Sequence, residues 1–172
     1  PFAFERCTSS ILGVPMSERC VGIVVEGAIV RVVDADLPED PKLSVEILAD
    51  NKWDLQAGDR AIALGVMSRR CASHIKENKV VRAFVMASGA PQGYAGVEAL
   101  LKSAELRGVV IAAAAQHTSV KMILKKTVSR TFGDRKFDDY CKDDEFWNAH
   151  TMGNALRKSS RAAAMVILAG RE

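Results

Sequence analysis

The sequence predicts an α+β fold in a single domain spanning residues 1–172: a β-rich N-terminal half packed against a mainly helical C-terminal half. Three observations predict it. Short Val/Ile-rich or alternating apolar segments dominate as far as "VVRAFVMAS". Beyond that point apolar residues recur at helical spacing. The charge also changes sign, with six Lys/Arg against eleven Asp/Glu before Met67 and eighteen against ten from there on. A chain of 172 residues is long enough for one well-formed core and too short for two comfortable ones. The division falls into an acidic β-rich part of about residues 1–90 and a basic helical part of about 91–172.

Taken in order, "CVGIVVEGAIVRVVDAD" from Cys20 reads as two strands joined at Glu26-Gly27, or one long strand with a bulge, over about 20–33. After the Pro-punctuated loop "LPEDPK", Leu43, Val45 and Ile47 alternate with Ser44 and Glu46, predicting a half-buried strand over 43–49. Ile62, Leu64 and Val66 alternate in the same way and predict a strand over 61–67. "SRRCASHIKENK" is a short helix or a polar connection, and a strand over 79–87 follows. Val97, Leu100, Leu101 and Ala104 then mark one helical face, with Gly108 placed to end that helix. "VVIAAAA" fits strand or helix, and a βαβ unit around Val80 to Ala115 is the alternative topology. "TSVKMILKKTVSRTF" predicts one amphipathic helix with Val120, Ile123, Leu124 and Val128 on its core side, capped by Thr118 or Ser119 and stopped by Gly133. A last long helical segment is expected over 143–168, with Gly153 able to divide it.

Composition narrows the function classes. Apolar residues make up 48% of the chain and charged ones 26%, the balance of a folded globular domain and not of a disordered one. The longest apolar run, "AAAMVIL", is far short of the roughly 20 residues that cross a bilayer. The stretch "PFAFERCTSS" does not have the pattern of a signal peptide. Cys7, Cys20, Cys71 and Cys141 are scattered with no CxxC pair, which predicts reduced thiols and an intracellular, cytoplasmic or virion-associated setting.

No motif predicts chemistry strongly. In "MASGAPQGYAG" the glycines Gly89, Gly93 and Gly96 follow a strand and precede a helix, but their spacing is not G-x-G-x-x-G. Pro91 also removes one backbone donor there, and no Lys-Ser or Lys-Thr follows. "CASH", Cys71 to His74, has metal-ligand spacing but only one such pair exists, so a buried Cys beside an exposed His is the better reading. The acidic run "DDYCKDDE" lacks the alternation and central Gly of a calcium loop and reads as a solvated loop capping the final helix. Cys and His residues are numerous enough that nucleophilic pairs arise by chance, so no catalytic residue, metal or cofactor is predicted.

The basic residues carry the functional prediction. Lys121, Lys125, Lys126 and Arg130 are spaced to lie opposite the apolar face of one helix, Arg135 and Lys136 follow directly, and Arg157, Lys158 and Arg161 form a second cluster. Such clusters hold a phosphate backbone without reading base sequence. The expectation is therefore a non-enzymatic binding or assembly protein, of viral or chromosomal structural type. Its partners would be nucleic acid or another polyanion, and its own copies through the oppositely charged halves. The rival expectation is a small cytoplasmic enzyme whose Gly89–Gly96 loop binds a phosphate-bearing small molecule.

Overall fold

The structure, a computed structural model, describes residues 17–87, 97–133 and 135–171. It is an α+β domain built on one mixed sheet. The Val/Ile-rich block forms β1 (Ser17–Glu26) and β2 (Ile29–Pro38), an antiparallel pair in which Glu26 lies opposite Ile29. The turn between them places Gly27 at φ 61°, a left-handed value that side-chain-bearing residues avoid. The hydroxyl of Ser103, far along the chain, ties this turn down: it accepts from the Gly27 amide at 2.8 Å and donates to the Gly27 carbonyl at 3.3 Å. β3 (Val45–Asp54) continues the antiparallel meander, with a bulge between Asp34 and Ala35 of β2.

The strand expected over 61–67 is instead the start of a helix, α1 (Arg60–Glu77). Asp59 caps it, accepting from the Ile62 amide at 2.9 Å. The alternation of Ile62, Leu64 and Val66 coincides with a longer helical stripe, and the residues that bury are Ala63, Met67, Cys71 and Ile75, each four apart. Ile62 itself is 67% exposed.

A β-α-β unit follows: β4 (Arg82–Met86), α2 (Val97–Ala115) and β5 (Ser119–Ile123), with β4 parallel to β1 and β5 parallel to β4. α2 runs through Gly108 and takes up the four alanines. Its buried face is Ser103, Leu106, Val110, Ala113 and Ala114, so the expected face is rotated and Leu101 points outward. The single amphipathic helix expected over 118–132 is two elements, β5 and α3 (Lys125–Phe132), with Leu124 at the junction. Val120 and Ile123 serve a β-period and only Val128 a helical one, because Ser119 to Ile123 finds an open sheet edge beside β4. The long terminal helix is likewise divided. It becomes α5 (Asp144–His150), a short strand β6 (Thr151–Gly153), a 3-10 turn (Lys158–Ser160) and α6 (Arg161–Gly170), preceded by α4 (Phe137–Lys142). Gly153, at φ 85°, lies so close to β3 that a Cβ there would stand 2.6 Å from the Ile47 carbonyl oxygen. Asp143 caps α5 and not the final helix.

The strand order is β5-β4-β1-β2-β3-β6. Alternation along the central strands sends Val21, Ile23 and Val25 with Val30 and Val32 toward α1 and α2. Cys20, Val24, Val33, Ala35 and Phe84 turn to the other side, against α6. α6 approaches the sheet at backbone distance. A Cβ on Gly22 would meet the Ala163 carbonyl oxygen at 1.9 Å, and one on Gly170 would meet the Phe84 ring at 2.2 Å.

Candidate functional site

The parallel neighbours β1 and β4 end side by side, at Glu26 and Met86. Ligands of open α/β sheets gather outside the carboxyl ends of such strands, where the chain leaves in different directions. Here a cavity of about 430 Å³ opens at that place. Its floor is Val24, Val25 and Met86 from the strand ends. Leu100 and Arg107 of α2 close one side, Lys125 of α3 and Asp138 and Cys141 of α4 another, and Lys158, Ser159 and Ala162 the third. Three cations and two carboxylates, Glu26 and Asp138, therefore share one concavity.

Those side chains differ in how firmly they are held. Arg107 donates to the Val25 carbonyl at 3.4 Å, and burial holds its pKa below the usual arginine range. Lys125 sits 4.9 Å above the Phe137 ring and 3.7 Å from the nearer carboxylate oxygen of Asp138, a loose pair. Lys158 pairs with Asp144 at 3.1 Å while its side chain stays 73% exposed. Glu26 pairs with Arg31 at 3.3 Å. Burial, reinforced by the Asp138 charge, pushes the Cys141 thiol up to about 11, so it stays protonated at neutral pH and is no nucleophile.

The nine predicted basic residues do not form one stripe. Lys121 lies on β5 and its ammonium donates to the Gly170 carbonyl at 2.9 Å. Arg157 is bidentate on Asp50, with bonds of 2.9 and 2.7 Å. Burial alone would raise the Asp50 carboxyl, but the hydrogen bonds from the Arg157 guanidinium and backbone amide outweigh it and hold its pKa below the usual range. Arg161 is buried at the start of α6, bonded to Asp144 at 2.5 Å and to the Cys141 carbonyl at 3.1 Å. Arg135 pairs with Asp143 at 2.7 Å and lies over the Tyr140 ring. Lys126, Arg130 and Lys136 are exposed on and just beyond α3. Of the nine, then, Lys125 and Lys158 meet at the cavity, and Arg135, Arg157 and Arg161 fasten the fold.

The Gly89–Gly96 loop, the rival site, lies outside the described residues, as does Cys7. "CASH" is not a zinc site: Cys71 buries against α2 on one side of the sheet and Cys20 on the other. His74 is not a free surface residue either. Its Nε2 lies 2.8 Å from a carboxylate oxygen of Asp34, which has no exposed surface, while Asn51 donates to the same carboxylate at 3.2 Å. The sign of this pair in the sequence was an aspartate inside a Val-rich strand, "RVVDAD", and its partner stands forty residues further on.

No protein-family model matches the sequence, and no curated protein sequence does. Solved structures match the fold. RuvC of Thermus thermophilus in complex with a Holliday junction substrate superposes with a TM-score of 0.65 at 14% identity, over 88% of this chain and 90% of that one. Another Thermus thermophilus RuvC structure gives 0.64 at 12%, over 89% and 95%. The yeast mitochondrial Holliday junction resolvase Ydc2 gives 0.61 at 12%, over 92% and 82%. The fold is thus one used by resolvases, across nearly the whole of both chains. This corrects the expectation of a non-enzymatic scaffold of viral or chromosomal type: two of these three structures are named for a Holliday junction substrate or its resolution. That expectation rested on the basic clusters and on the absence of a catalytic motif, and a site assembled from strand ends leaves no such motif.

Enzymes that cleave phosphodiesters commonly hold divalent cations between carboxylates. The residues at this cavity do not fit such a centre. Its strand-end floor is Val24, Val25 and Met86, its two carboxylates each have a cation beside them, Arg31 for Glu26 and Lys125 for Asp138, and no three His, Cys, Asp or Glu among the described residues are grouped to hold a metal ion. The sequence outside the described residues adds only Glu5, Asp134 and Glu172 as carboxylates.

Proposed function

We propose that the chain is a DNA-acting protein of resolvase type that draws the phosphate backbone of branched DNA onto the cavity at the carboxyl ends of β1 and β4. The observation that carries this reading is the meeting of Lys125 and Lys158, from separate elements, at the concavity where parallel strands end. The extent of the likeness to junction-binding RuvC supports it. Lys126, Arg130 and Lys136 extend the positive surface from the cavity along α3 and contact flanking phosphates. Self-association through the oppositely charged halves belongs to the same reading, because a four-way junction offers equivalent arms to two copies.

The test is binding of a labelled four-way junction and of linear duplexes made from the same strands, across a salt titration, with strand cleavage read on a denaturing gel from the same samples. The junction is expected to bind about tenfold or more tightly than the duplexes, with affinity falling log-linearly with salt. Equal affinity for both forms, or no binding at low salt, rejects the reading.

A further inference from the structure

The misfit between the cavity and a carboxylate-held metal has a positive counterpart. The N-terminus of the eight-residue α3 reaches its rim at Lys125, and the 3-10 turn leading into α6 brings Lys158 there, with the Ser160 and Arg161 amides already bonded to the Arg157 and Lys158 carbonyls. The α3 N-terminus presents unpaired amides and a partial positive charge, and both lysines are on flexible stems. The floor side chains, Val24, Val25 and Met86, offer a divalent cation no oxygen ligand, whereas a phosphate oxygen needs donors from the rim only.

Both lysines are held in a way that lets them turn to an incoming anion. Lys125 makes no close ion pair, since Asp138 is 3.7 Å away and 73% exposed. Lys158 shares Asp144 with Arg161, which stays bonded to that carboxylate at 2.5 Å, so Lys158 can leave without stranding a charge.

We infer that this cavity is a phosphate site in which Lys125 and Lys158 bind the anion directly, with no carboxylate-held divalent cation between protein and ligand. The inference rests on the proposed function for the source of the phosphate, a nucleic-acid backbone, but the site can be tested without nucleic acid.

Three probes separate the possibilities. Inorganic pyrophosphate, titrated in a chelator and followed by 31P NMR or calorimetry, is expected to bind, and the Lys125→Gln, Lys158→Gln double variant to bind about fivefold more weakly or worse, the loss expected of two charge-assisted contacts. Both side chains are exposed, so the variant is expected to fold, and its thermal midpoint checks that. Mn²⁺ alone, followed by its own magnetic resonance, is expected to find no stoichiometric micromolar site. Such a site, abolished by Glu26→Gln or Asp138→Asn, overturns the inference, and so does failure of pyrophosphate to bind or indifference of its binding to the double variant. The four-way junction is the third probe. If pyrophosphate binds as expected and the junction does not, the phosphate site stands and the proposed function falls.

Discussion

The two faces of the sheet are built differently. The α1/α2 face is covered by two long helices, and its one buried carboxylate, Asp34, is answered by His74 and Asn51. The α6 face has one apolar helix pressed onto the strands at two glycines, and around it three short helices, of which α4 and α5 are joined by Arg161, bonded to the Cys141 carbonyl and Asp144, and by Arg135, bonded to the Asp139 carbonyl and Asp143. Aromatic rings fill the space those short helices leave: Tyr140 donates to the Phe132 carbonyl at 2.7 Å and Trp147 to the Tyr140 carbonyl at 2.9 Å. Long helices seal a sheet mainly by area, while short elements depend more on point-to-point bonds, and the spaces between them leave room for a cavity. The candidate site lies where the second kind of construction meets the strand ends.

The largest effect expected breaks the α6 face. Gly22→Ala places a methyl on a backbone carbonyl that has no side-chain freedom to yield, and a loss of about 3 kcal/mol or more is expected in urea unfolding. Gly27→Ala, where no atom lies within 4 Å of a new Cβ, costs only the strain of its left-handed φ, about 1 kcal/mol. Next, His74→Leu strikes the other face. It leaves the Asp34 carboxylate with Asn51 as its one remaining side-chain partner, and a loss of about 2–4 kcal/mol is expected in the same measurement.

A smaller and pH-dependent effect is expected of Arg157→Gln. The folded-state pKa of Asp50 is depressed, so the stability it contributes is complete above its unfolded value, about 3.9, and is lost as the pH falls through the folded one. The gap between the variant and the parent in urea midpoint is therefore expected to be steady from neutral pH down to about pH 5 and to close below about pH 4. A gap that persists unchanged in acid would show that Arg157 stabilises by something other than the Asp50 carboxylate. The smallest effect is that of Lys126→Gln with Arg130→Gln: unchanged stability, and a salt slope of junction binding reduced by about two units if both touch phosphates.

Much of the first half was legible because its strands are Val/Ile-rich and its turn carries Gly27. The error at 61–67 was one of length: three alternating residues fit a strand, and the stripe Ala63, Met67, Cys71, Ile75 that identifies α1 contains small and soft residues that do not announce a core. In the second half, "SVKMI" carries a helical pattern and becomes a strand because β4 offers it an edge, a tertiary effect absent from local spacing. The site was half visible. Lys125 and Lys158 stood out as members of basic clusters, but nothing in the sequence distinguished them from Arg157 and Arg161, whose acidic partners lie 107 and 17 positions away. Arg107, between Leu106 and Gly108, belonged to no basic cluster that would mark it.

The separation of Lys125 and Lys158, at the cavity, from Arg135, Arg157 and Arg161, bonded within the fold, is what the proposed function depends on. The most direct measurement is junction binding at one moderate salt concentration by the Lys125→Gln, Lys158→Gln variant and by Arg157→Gln, both checked for folding by circular dichroism. About a tenfold loss or more is expected for the first and a change within about twofold for the second. The reverse order, or equal losses, would place the DNA away from the cavity and contradict the proposed function.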